Sequence, residues 1–249
     1  MINKLIYSVK SLLRLMTEME NFPNIFNYLV KKPVLVRLKN GISLYTSQPI
    51  ELITIKETIL DDEYKISRVK NLKNVVDVGA GLGDFSLLVA KRFPGVRITA
   101  FEPNKTVFNL FKKNLLINKI TNVKVYNMAV GRKENYFLYL AAANVHGSTI
   151  KNYRAVKKVK VKAGKLADFI SQEVDFLKVD CEGAEIDVLK SLGPNKFTFI
   201  RRIMVEYHNG IIPAEDQKMA AILKKYHFEV QITKNYIVPT TGYIIGVKS

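Results

Sequence analysis

The sequence predicts an α/β protein with a Rossmann-like, mostly parallel sheet, helices on both faces and an antiparallel strand pair at the C-terminal end. Three observations carry this expectation. From residue 74 onward, short runs rich in Val, Ile and Phe alternate with segments of helical periodicity, which is the pattern of repeated βαβ units. A glycine-rich turn joins the first of these strands to its helix. Residues 228–232 and 243–247 close the chain as two strands without a helix between them, and so short a connection forces antiparallel pairing.

The elements follow in order. Residues 1–70 form an N-terminal helical and β-hairpin extension, and residues 71–249 the main domain. In the extension, Ile2, Leu5, Ile6, Val9, Leu12, Leu13 and Met16 recur at helical spacing, with Lys4, Lys10 and Arg14 largely off that stripe. Such a helix either packs on the main domain or touches anionic lipid as a peripheral membrane contact. Residues 34–39 alternate, Asn40-Gly41 is a hairpin turn signal, and 42–46 continue as the second strand. Residues 52–64 read as a helix.

In the main domain, 74–79 is a buried strand, 82–93 a helix and Pro94-Gly95 a turn. Strand two is 96–101, helix two 104–118 and strand three 123–130. An insert spans 131–165, with a strand at 134–140 and a loop at 144–148. Residues 151–165 then hold seven basic residues and no acid; Lys158, Lys160 and Lys162 alternate with Val159 and Val161, so one strand face is all lysine. Residues 175–180 form strand four, 184–192 a helix, 199–207 strand five and 213–226 a helix.

Composition bounds the function classes. The 249 residues are 48% hydrophobic, enough for a core, which excludes a disordered chain. A single cysteine, Cys181, excludes an internal disulfide framework and suits a reducing, cytoplasmic setting. Lys10 and Arg14 interrupt the first apolar run, so it does not read as a signal peptide. No stretch reaches the ~18–20 apolar residues of a transmembrane helix. The balance of 39 Lys and Arg against 22 Asp and Glu leaves a net charge of +17. That field favours RNA, an anionic membrane face or a phosphorylated acceptor, with a merely solvated basic surface as the bland alternative.

The chemistry starts at Val75-Val-Asp-Val-Gly-Ala-Gly-Leu-Gly-Asp84, which leaves a strand and enters a helix. Glycines there let backbone approach a ligand closely. Strand two ends in Glu102, 19 residues past Gly83, where a carboxylate can accept both hydrogen bonds of a ribose diol. Together they point to an adenosine-containing cofactor. The dinucleotide fingerprint G-x-G-x-x-G does not fit, because its third glycine would fall on Asp84.

The observed G-x-G-x-G, with Asp77 two residues before it, resembles motif I of class I S-adenosylmethionine-dependent methyltransferases. A second block, Asp175-Phe-Leu-Lys-Val-Asp-Cys-Glu-Gly-Ala-Glu185, sharpens this. With residues 76–83, Phe101-Glu-Pro-Asn104, Asn114, Asn118, Ala129-Val-Gly131 and Val205-Glu206, it resembles the FkbM family of methyltransferases over residues 74–207. The resemblance implies a seven-stranded class I methyltransferase sheet and S-adenosylmethionine as methyl donor. It implies a hydroxyl acceptor on a saccharide, a lipid or a similar small molecule. It places Asp77, Gly79, Gly81 and Gly83 at the methionine end, Glu102 on the ribose with Asn104 nearby, and Asn127, Met128 and Ala129 beside the adenine. Asp180 falls where methyl group and acceptor meet, with Glu182 and Glu185 in the following turn and helix.

A hydroxyl acceptor has a high pKa, so a base or a metal should help remove its proton. The candidates at the strand ends are Asp180, Glu182, Glu206 and His208, of which Asp180, Glu206 and His208 are the first choices for catalysis. His208 is expected to titrate near the working pH. His146 and Ser148 could reach in from the insert, while His227 reads as structural. Asp180, Glu206 and Asn209 are oxygen ligands suited to Mg²⁺, so a divalent metal is a secondary expectation. RNA methylation through residues 151–165 is the alternative function, although no Asn/Asp-Pro-Pro-Tyr block is present. A non-enzymatic binder on the same scaffold is the third reading.

Overall fold

The computed structural model describes residues 2–29, 33–141, 147–148, 155–235 and 237–248. Expected site residue His146 lies outside the described residues. The N-terminal part holds helix α1 (Ile2–Glu18), the hairpin β1 (Val34–Arg37) and β2 (Ser43–Thr46), and α2 (Glu51–Ile55), which runs into a π-helical turn at Lys56–Leu60. The main sheet is built from β3 (Asn74–Val78), α3 (Asp84–Arg92), β4 (Arg97–Phe101), α4 (Lys105–Ile117) and β5 (Val123–Tyr126). After β5 come β6 (Ala129–Val130), β7 (Asn135–Ala141), β8 (Gly147–Ser148) and β9 (Ala155–Gly164). The chain returns to the main sheet with β10 (Phe176–Val179), α5 (Glu185–Ser191), the short α6 (Gly193–Lys196), β11 (Arg202–His208), α7 (Glu215–Lys225), β12 (Glu229–Lys234) and β13 (Thr241–Val247).

The seven strands stand in the order β12-β13-β11-β10-β3-β4-β5. Those from β11 to β5 pair in parallel. β13 runs antiparallel to both β11 and β12, so the last strand inserts between its predecessors. Burial on both faces explains why the central strands are largely apolar rather than alternating, with Asp77 and Lys178 as buried charged exceptions. Val76, Val78, Leu177, Val179, Ile203 and Val205 pack on one face with Val188, Leu189 and Leu223 of α5 and α7. On the other face, Val75, Ile98, Phe176 and Met204 pack against Phe85 and Val89 of α3.

The N-terminal part shares this second face. Leu15 of α1, Met19 just after it, Val36 and Leu44 of the hairpin, and Ile55 of α2 join Ala80, Leu87, Phe111 and Leu115 in one core cluster. Asn114 of α4 ties the hairpin down, accepting from the Tyr45 amide at 2.6 Å and donating to the carbonyls of Tyr45 and Leu82.

Residues 123–130, expected as one strand, divide in two. Asn127 Nδ2 donates to the carbonyls of Glu102 and Pro103, and this turns the backbone out of the main sheet. Residues 129–130 then start a second sheet, ordered β6-β9-β7-β8. There Leu138 faces Val159, while Phe137 and Tyr139 face Lys160 and Lys158. Lys158, Lys160 and Lys162 are exposed, and the Lys158 ammonium lies 3.8 Å from the Phe137 ring centre.

Candidate active site

A cavity of about 370 Å³ opens at the carboxyl ends of β3, β4, β10 and β11. Its size suits a cofactor-sized ligand, and ligands bind at this edge of open α/β sheets. The glycine turn forms its floor. A side chain at Gly79 would place a Cβ 1.7 Å from the Asp180 carbonyl oxygen, so glycine alone lets β3 and β10 approach. Gly83 serves packing instead: its Cβ would sit 2.0 Å from the Phe111 ring, and it lies outside the cavity lining. Gly79 and Gly81 line the cavity.

Glu102 ends β4 with its carboxylate braced on both oxygens. The Gly81 amide donates to Oε2 at 3.0 Å and the Asn104 amide to Oε1 at 2.7 Å. Two backbone donors fix an ionised carboxylate in place as a hydrogen-bond acceptor facing the cavity. Phe101, Pro103, Val107, Met128, Ala129 and Leu138 line the space beside it, an apolar slot of the kind that holds a planar base. Asn104 itself turns away and caps α4, accepting from the Thr106 amide at 3.1 Å.

Asp77 is fully buried and does not line the cavity. Its Oδ2 accepts from Ser86 Oγ of α3 at 2.7 Å, and its Oδ1 lies 3.3 Å from Lys178 Nζ. In the β10–β3 register Lys178 stands opposite Asp77, and its ammonium donates to the Gly79 carbonyl at 2.7 Å. The same Nζ lies 3.6 Å from Asp180 Oδ2. Burial opposes a charged Lys178, but Asp77, Asp180 and Asp84 outweigh it and hold the ammonium well above the ordinary lysine range. Asp77 thus meets the cavity through Lys178, which lines it.

Past β10 the chain makes a tight turn with Glu182 and Gly183 in the left-handed region, at φ 55° and 102°. Glu185, fully buried at the start of α5, reaches back to hold it. Its carboxylate accepts from the amides of Cys181 and Gly183 at 2.7 and 2.8 Å. The turn presents Asp180 and Glu182 to the cavity, where they meet Glu206 from β11. Tyr64 Oη donates to Asp180 at 3.3 Å, and Tyr243 Oη donates to Glu63 at 2.8 Å. Burial raises the Glu63 carboxyl to about 8. Burial, then the neighbouring Asp180, push Glu206 well above the carboxylate range. Of the first-choice catalytic residues, Asp180 and Glu206 line the cavity.

His208 stands behind them, buried and outside the lining. Its Nδ1 is 3.5 Å from Glu185, and its Nε2 is 3.7 Å from Glu182 and 3.9 Å from Glu206. Burial would lower its pKa, but these carboxylates win and raise it to about 10. His208 is therefore a cation at neutral pH, contrary to the expected titration near working pH. Among the described residues, one ligand atom each from Asp180, Glu206 and His208 lies within 4.8 Å of the others. Asn209 points elsewhere: its Oδ1 accepts from the Asp216 amide of α7. The metal set expected around Asn209 is therefore not assembled. The exposed His227 follows α7 and lies outside the cavity lining, and of Ser148 only the backbone, in β8, is described.

Sequence reasoning missed Lys178, Glu57, Glu63, Tyr64 and Tyr243, all of which line the cavity. Lys178 carried a signal, since a lysine inside the apolar run Phe176–Val179 must find buried counter-charges. The others come from distant segments and had none.

Fold and site together define a class I S-adenosylmethionine-dependent methyltransferase. The sequence family described as the Methyltransferase FkbM domain matches residues 77–230. The chain belongs to the FkbM methyltransferase family. The protein named Methyltransferase 1 in Beauveria bassiana is 27% identical over 199 residues, covering 69% of this chain and 80% of that protein. Methyltransferase sdnD of Sordaria araneosa is 27% identical over 228 residues, covering 76% of this chain and 86% of that one. The crystal structure of Methyltransferase FkbM from Methylobacillus flagellatus superposes with a TM-score of 0.54 at 12% identity, covering 98% of this chain and 60% of that one. No helix among the described residues is long and apolar enough to cross a membrane.

Proposed function

We propose that this enzyme methylates a hydroxyl oxygen of a neutral, polyhydroxylated acceptor, a saccharide above all. One observation carries the acceptor class. Seven carboxyl side chains line the cavity, Lys178 is its one cationic lining residue among the described residues, and Tyr64, Tyr243 and Thr58 add hydroxyls. Burial pushes Glu57, Glu63, Asp84 and Glu206 toward their neutral forms, so such walls offer a polyol both hydrogen-bond donors and acceptors, and offer a phosphate no cation but Lys178 among the described lining residues. The protein's basic excess is therefore not the charge its acceptor meets.

Glu102 holds the ribose diol, the slot by Met128 and Ala129 holds the base, and Gly79 and Gly81 let the backbone approach the methionine end. When bound, S-adenosylmethionine supplies an electrophilic methyl group on a positively charged sulfur, a charge that the acidic cavity favours. Asp180 and Glu206, whose carboxylate oxygens lie within 4.8 Å of each other, would together take the acceptor's hydroxyl proton as the methyl group is transferred. Lys178 and Tyr64 orient Asp180, and the His208 cation orients Glu182 and Glu206. A divalent ion at Asp180, Glu206 and His208 is the alternative to proton removal by the pair, and it would have to displace the proton held on His208.

RNA is the second reading, supported by the exposed lysines of β9. That face is opposite Leu138, which points into the cavity, so the lysines do not line the cavity. Incubation with methyl-labelled S-adenosylmethionine and a fractionated cell extract separates the two. Label in saccharide that resists ribonuclease, and that is lost with Asp180→Asn, is the expected result. Ribonuclease-sensitive label would overturn the acceptor assignment while leaving the cofactor site standing.

A further inference from the structure

α1 docks by a different face from the one its periodicity suggests. Among its described side chains Ser11 and Leu15 are buried, as is Met19 just past its end. Ile6, Val9, Leu12, Leu13 and Met16 are each about half exposed, between 47% and 55%. At 100° per residue these five fill one arc of about 120°, beside the buried face. Lys10 and Arg14 border that arc, Arg14 pairing with Glu18 at 3.1 Å, and no acidic residue precedes Glu18. A docked helix that leaves its apolar stripe in water is incompletely covered.

We infer that α1 is an interfacial membrane anchor, seating this stripe in an anionic lipid surface with Lys10 and Arg14 at the headgroups. Charge selects the occupant. A second copy stacked on the stripe would bring the same basic flank against itself, with only Glu18, which already pairs with Arg14, as an acidic residue on α1. An anionic leaflet answers both the apolar arc and the basic border. The net charge of +17 adds long-range attraction of the same sign. The anchor also lies close to the site: Tyr7 of α1 hydrogen-bonds Glu57, a cavity-lining residue, and Ile50 is both half exposed and cavity-lining. Tyr7 lies about 160° around the helix from the centre of the stripe, so a bound membrane would lie across α1 from the wall that residues 50–58 form.

The test uses the full chain with vesicles of phosphatidylcholine alone and of equal parts phosphatidylcholine and phosphatidylglycerol. The protein should co-sediment with the mixed vesicles and weakly with the neutral ones. Leu13→Glu with Met16→Glu should weaken binding tenfold or more, and Lys10→Glu by at least fivefold, since each basic charge near an anionic surface is worth about that factor. S-adenosylhomocysteine affinity and thermal midpoint should stay at wild-type values, because these side chains are exposed. No binding to mixed vesicles would overturn the anchor. So would binding that the double variant leaves unchanged, which would shift it to another basic surface. A dimer that the double variant splits, without vesicle binding, would make the stripe a self-association face instead.

Discussion

Lys178→Met tests whether the buried lysine organises the site. The ammonium lies 3.3 Å from Asp77 and 3.6 Å from Asp180. At an effective dielectric of about 20, each attraction is worth about 5 kcal/mol before desolvation. Burying the three charges offsets much of that, so the net worth of the cluster is smaller. Methionine keeps the volume but leaves Asp77, which is fully buried, without its counter-charge, and the Gly79 carbonyl without its 2.7 Å donor. Breaking a buried pair from one side costs about 3–5 kcal/mol, a large part of a typical stability of ~5–15 kcal/mol. Urea unfolding at neutral pH should show this as a lower midpoint with an unchanged slope. Asp77→Asn in the same chain removes the stranded charge and should restore about 2 kcal/mol, a coupling that a double-mutant cycle reads directly. A Lys178→Met variant within about 1 kcal/mol of wild type, or a cycle with no coupling, would refute the argument.

Three further outcomes are expected. Glu102→Gln removes the braced charge, so S-adenosylhomocysteine should bind about 10- to 100-fold more weakly by calorimetry, from the ~1.5–3 kcal/mol of hydrogen bonds to a charged group; equal affinity would exclude the ribose contact. Gly79→Ala drives a Cβ into the Asp180 carbonyl at a φ of 75°, so β10 must shift and stability should fall by at least about 3 kcal/mol in the same urea assay. The folded pKa values of Glu63, about 8, and His208, about 10, lie above their ordinary values of 4.5 and 6.5. Each group's stabilisation is therefore complete below its ordinary value and lost as pH rises through the folded one. Thermal midpoints should fall steadily from about pH 5 to about pH 10, and His208→Gln should flatten the upper half of that curve.

Some of this protein was written in local sequence, because local backbone geometry decides it. A strand, a glycine turn and a helix can be read from neighbouring residues, and so the turn whose Gly79 and Gly81 line the cavity was legible. The span from Gly83 to Glu102 is set by one βαβ unit, so the carboxylate at the end of β4 was found as well. The helix-free C-terminal pair could only be antiparallel. The break at Asn127 was not legible, since its partners are carbonyls about 25 residues away.

Side-chain partners depend on which strands become neighbours, and that only the tertiary structure decided. The resemblance implied a place for Asp77 at the methionine end; that it is buried against Lys178 was decided by the β10–β3 register. His208 read as a neutral base until three carboxylates from the turn, α5 and β11 surrounded it. Glu63 and Tyr243 meet across 180 residues, a separation that carries no periodic signal. The stripe on α1 was visible from its spacing, but spacing does not say which arc of a helix finds a partner. Docking through Ser11, Leu15 and Met19 settled that, because the surfaces available to α1 come from the hairpin and α2 folded onto the main sheet.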